Sequence, residues 1–84
     1  MEIFAVERVV ENVRTPVSLV VSDALTLLED NGKKQTKYDF ADVSACVPIA
    51  DFSFALRVGS STLFFFAEDV GKVLAALSSK IPPP

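Results

Sequence analysis

The sequence predicts a mainly β (α+β) domain of about seven short antiparallel strands, closed by one amphipathic helix at its C-terminal end. Three observations carry this. Val70, Val73, Leu74, Leu77 and Ile81 recur at helical spacing, with Gly71, Lys72, Ser78, Ser79 and Lys80 between them. From Pro16 to Ala67, β-branched and aromatic residues fall in short runs bounded by turn formers. Half of the 84 residues are apolar and seven are Phe, which is material for one small core without disulfides or metal. A single domain is expected over 1–81, most regular over 16–81, with Pro82–Pro84 leading into a tail or linker.

Taken in order, Ile3, Val6, Val10 and Val13 fit a helix face, while the Val-rich composition of 3–13 favours a strand, which the sheet needs to close. Val17 to Val21 reads as a strand. Ser22-Asp23 turns the chain into Leu25 to Glu29, and Asn31-Gly32 is a hairpin signal because both residues tolerate positive φ. Lys34 to Asp39 is a polar strand in which Tyr38 and Phe40 point inward and Lys33, Lys34 and Lys37 stay in water. Val43 to Val47 follows and is expected to end at Pro48. Phe52, Phe54, Leu56 and Val58 alternate with Ser53, Ala55 and Arg57, the pattern of a strand with one wet face. Gly59-Ser60-Ser61 leads into Thr62 to Ala67, whose Leu63-Phe64-Phe65-Phe66 run is expected to be covered on both faces. The helix is placed at 69–80, with Glu68 and Asp69 at its positive end, Lys80 near its exit and the three prolines as its stop. Gly71 implies a fraying first turn or a close backbone approach.

The composition also excludes chemistry. With one Cys and no His, there is no Cys/His zinc site, no Ser-His-Asp triad and no imidazole base, so no enzyme is expected. A net charge of −3 argues against nucleic acid, whose phosphates call for a basic face. No apolar run is long enough to span a bilayer, and a lone Cys fits a reducing, intracellular compartment. Cys46 reads as a packed, inert thiol; Glu29, Asp30, Asp39, Asp42 and Asp51 are scattered turn residues without calcium-loop spacing. No cofactor is implied.

The order of strands in a meander followed by one helix resembles the pleckstrin-homology (PH-like) superfold. Pro16 to Asp30 resembles the second and third strands of phosphotyrosine-binding (PTB) domains and of the third lobe of FERM domains. Asp39 to Pro48 resembles the stretch through their fifth strand, and Phe52 to Leu56 the strand after it. The resemblance implies a partly open barrel and a peptide added as an extra strand in a groove between the fifth strand and the helix. On this sequence the groove is Val43, Ser44, Ala45, Cys46 and Val47 on one side and Val70, Val73, Leu74 and Leu77 on the other. The helix lacks a late aromatic residue and the groove lacks a basic cluster, so phosphate-dependent binding is not expected.

The leading expectation is a non-catalytic interaction or scaffold module of an intracellular adaptor, cytoplasmic and associated with the cytoskeleton or a membrane. Two alternatives stand beside it. Arg14, Lys33, Lys34 and Lys37 offer a basic patch for a phosphoinositide headgroup, as in a membrane-targeting domain. The exposed edge strand offers self-association, a purely structural role.

Overall fold

The computed structural model describes residues 1–82; Pro83 and Pro84, expected to help stop the helix, lie outside the described residues. Seven antiparallel strands form one sheet: β1 (Glu2–Val10), β2 (Val13–Val21), β3 (Leu25–Glu29), β4 (Lys34–Tyr38), β5 (Val43–Ala50), β6 (Ser53–Val58) and β7 (Ser61–Phe66). Their order is β4-β3-β2-β1-β7-β6-β5, so β4 and β5 are the two edges and the sheet does not close. A short 3-10 turn, Phe40–Asp42, joins those edges, and helix α1 (Val70–Ser78) follows β7.

The ambiguous segment 3–13 is strand, and it holds a hairpin. Glu11 and Asn12 form a two-residue loop between Val10 and Val13, with φ of 51° and 67°. Two positive φ values in such a loop match the right-handed twist of the flanking strands. β2 therefore starts four residues before the expected Val17 and runs through Pro16, which pairs with Glu7. The turn after β3 behaves as the Asn31-Gly32 signal requires: Asp30, Asn31 and Gly32 all have positive φ, and Gly32 N–H donates to the Glu29 carbonyl at 3.0 Å.

Further strand boundaries and two exposures differ from the sequence reading. β5 does not stop at Pro48 but continues to Ala50, because an edge strand tolerates a residue that has no N–H to donate. Phe40 is buried, but from the 3-10 turn rather than from β4. Phe52 belongs to the β5–β6 turn and is 61% exposed, so the inward alternation of β6 begins at Phe54. β7 is covered on one face only: Leu63 and Phe65 are buried, whereas Phe64 is 46% exposed. The helix is one turn shorter in its regular part than 69–80.

One core joins all of this. Val6, Val17, Leu19, Leu25, Leu27, Phe54, Leu56, Phe65, Val73 and Leu77 belong to a single buried cluster, so the sheet curls around its apolar face while α1 lies against it. Asp69 caps the helix, its Oδ1 accepting from the Lys72 backbone N–H at 3.0 Å. A side chain at Gly71 would meet only Asp69 Oδ1, at an ordinary contact distance of 3.7 Å, so neither packing nor φ demands glycine there. Arg8 and Glu29, both on the core-facing side, form an ion pair of 3.4 Å between β1 and β3.

Candidate functional site

Among the described residues, strand β5 pairs with β6 and with nothing on its other side. Its ladder carries irregularities between Val43 and Ala45 and between Pro48 and Ala50, leaving Ala45 to Pro48 as its regular stretch. Pro48 cannot exchange an N–H with Phe54 opposite, so that pair is of the non-hydrogen-bonded kind and the Pro48 nitrogen lies on the free side. Alternation then turns the N–H and C=O of Cys46 to the free edge as well, together with the Pro48 carbonyl. These are unused strand-pairing groups in a row of eight residues that carries no charge.

The side chains divide by partner. Cys46 and Pro48 sit opposite the fully buried Leu56 and Phe54 and share their face; Ala45 and Val47 sit opposite Arg57 and Ala55 on the outer face. On the inner face α1 crosses this strand. Cys46 Sγ and Ser78 Oγ are hydrogen-bonded at 3.3 Å, and the entrance to the helix is tied to the far end of β5 by the Ala67 N–H, which donates to the Phe52 carbonyl at 2.9 Å.

The predicted groove is thus brought together in part. Cys46 and Leu74 are half-buried against the core on the inner face, where α1 packs next to β5, whereas half-buried Ala45 and exposed Val47 lie on the outer face and Ser44 is exposed. Val43, Val70, Val73 and Leu77 are instead core residues, because the helix turns the stripe containing them onto the sheet; they position the wall without being its surface. The sequence reading missed Ile49 and Phe52, 56% and 61% exposed, which extend the edge past Pro48. The parity of Val47 and Ile49 carries their signal, which a strand ending at Pro48 hides. On the outer face, register aligns Val47, Ala55, Phe64 and Val9 in one apolar row across β5, β6, β7 and β1.

The basic residues do not converge. Lys34 pairs with Glu29 and Lys37 with Thr26, which puts the two lysines on opposite faces of β4. Arg14 lies on β2 and is engaged elsewhere, 2.6 Å from Glu7 Oε1 with its guanidinium 4.0 Å above the Phe66 ring. The turns at the same end of the sheet also carry acidic residues, Glu11 in one and Asp30 in the same turn as Lys33.

A separate open groove of about 730 Å³ lies where β1 and β7 part, lined among others by Ile3, Ala5, Phe52, Glu68 and Lys72; of the predicted site residues, Val73 and Arg14 reach it. Among the described residues no His, Cys, Asp or Glu side chains cluster so as to hold a metal, and no helix is long and apolar enough to cross a membrane. No family model, curated protein or solved structure matches the chain. What the arrangement offers chemically is hydrogen bonding along an edge and apolar contact beside it.

Proposed function

We propose that the chain is a non-catalytic protein-interaction module, of adaptor or scaffold type and PH-like architecture, that takes an extended segment of an intracellular partner as an eighth strand on β5. The observation that carries this reading is the free edge itself: Cys46 and Pro48 direct unpaired backbone groups outward from an uncharged strand, with Val47 and Ile49 exposed and Leu74 alongside. Backbone pairing supplies affinity in such a mode and the flanking side chains supply selection. Support for the PH-like assignment comes from the strand order, two meanders joined through β1 and β7, with the single helix packed next to β5.

The opposite edge is a poorer candidate. β4 presents Lys34 and Lys37, and charge on an edge strand is a common guard against pairing. The test is amide-shift mapping with a pool of extended nine-residue peptides. Shifts concentrated at Ser44–Val47 and lost in Ala45→Lys, with the rest of the spectrum unchanged, are expected. Shifts that map to β4, or binding that Ala45→Lys leaves intact, overturn the assignment.

A further inference from the structure

The charge around β5 narrows the partner, and this inference rests on the docking mode proposed above. The strand itself is neutral, yet its ends are not. Asp42 precedes it and Asp51 follows it, both exposed, and Asp39 stands three residues before Asp42. Glu68 and Asp69, also exposed, are held next to the Asp51 end by the Ala67–Phe52 hydrogen bond. None of these carboxylates takes part in an ion pair among the described residues, where the pairs are Arg8–Glu29 and Arg14–Glu7. The basic groups on this side are Arg57, one strand in from the edge, Lys72 on the first turn of α1, and Lys80, two residues beyond Ser78.

We infer that the segment docking on β5 is apolar and extended at its centre and carries Lys or Arg at both ends. A segment laid antiparallel along β5 would bring its two ends near Asp42, in the 3-10 turn before the strand, and Asp51, in the turn after it. Opposite charges facing each other across a strand pair favour pairing, and like charges oppose it. The same placement argues against a second copy of this chain. Pairing of β5 with β5 of a second copy would bring the acidic ends of the two strands close together, between two molecules that each carry a net charge of −3. Exposed Phe52 at the Asp51 end adds an aromatic face on which a guanidinium can lie.

The experiment compares three synthetic peptide pools with the same alternating Val/Thr centre and with Lys, Gln or Glu at both ends, titrated into the parent domain and into Asp42→Asn/Asp51→Asn. Among the described residues neither carboxylate makes a side-chain hydrogen bond, so the double variant is expected to retain the fold, and its circular dichroism and melting curve check this. The Lys-ended pool is expected to bind on the order of 10-fold tighter than the Glu-ended pool at low ionic strength, with the advantage fading in salt and in the double variant. Equal affinity of the three pools overturns the charge inference and leaves edge docking standing. An advantage that survives in the double variant also overturns it. Binding of none of the pools removes the docking mode and the inference together.

Discussion

Phe54 and Phe65 lie directly opposite each other in the β6–β7 ladder and stack, their ring centroids 5.2 Å apart and their planes 19° from parallel. Both are fully buried, so this pair forms the centre of the core under the strand that neighbours β5. Phe54→Ala is expected to cost about 3–5 kcal/mol, enough to threaten a domain of this size. Phe54→Leu, Phe65→Leu and their combination are the readable set. Urea denaturation should give a coupling of about 0.5–1.5 kcal/mol between the two positions; strictly additive losses would show that the rings merely fill volume.

The hairpin between β1 and β2 carries a removable strain. Glu11 holds φ at 51°, a region that costs a residue with a Cβ and a long side chain more than it costs Asn or Gly. Replacing Glu11-Asn12 by Asn-Gly is expected to stabilise the domain by about 0.5–1 kcal/mol, seen as a rise in Tm of several degrees. No rise would mean that the Glu11 side chain makes compensating interactions in solution.

Two substitutions in the first turn of α1 should act in opposite directions. Asp69→Ala removes the side-chain acceptor for the Lys72 N–H and is expected to cost about 1 kcal/mol. Gly71→Ala meets only Asp69 Oδ1, at 3.7 Å, and should gain about 0.5 kcal/mol by restricting the unfolded chain. Paired thermal melts decide both signs.

Pro48 guards the edge that the partner is proposed to use. Pro48→Val supplies an N–H on the free side of β5 and makes the strand a better template for any other strand. The variant is expected to self-associate more strongly than the parent in sedimentation at rising concentration, and to bind extended peptides at least as well. Unchanged association would mean that the Asp residues at the ends of the strand, rather than the proline, keep the edge clear.

Much of this fold is legible in local chemistry. The helix follows from the spacing of Val70, Val73 and Leu77, and β6 from alternation after Phe54; both patterns record a single buried face. The Asn31-Gly32 turn announces itself because its backbone needs positive φ. The Glu11-Asn12 turn does not, since Glu is a poor residue for that conformation and tertiary pairing of nine residues on each side imposes it. Pro48 misleads for a related reason: whether proline ends a strand depends on what lies beside it, and only the sheet order shows that nothing does. The candidate site was legible as a strand and a helix, but not as a surface. Which of Val43 to Val47 faces out depends on the ladder irregularity after Val43, and a single residue of slip exchanges the two faces.

The seam between β1 and β7 is short, with Glu7, Arg8 and Val9 opposite Phe66, Phe65 and Phe64. Among the described residues it is nonetheless the only strand pairing that joins the β1–β4 meander to the β5–β7 meander. Every other ladder links neighbours in the chain, so each meander can assemble through short loops, while the seam must close a loop of most of the domain. Folding should therefore be limited by the meeting of two preformed halves, with a rate set by contacts among residues 7–9 and 64–66, and the core around Phe54 and Phe65 should become protected from hydrogen exchange only after that meeting.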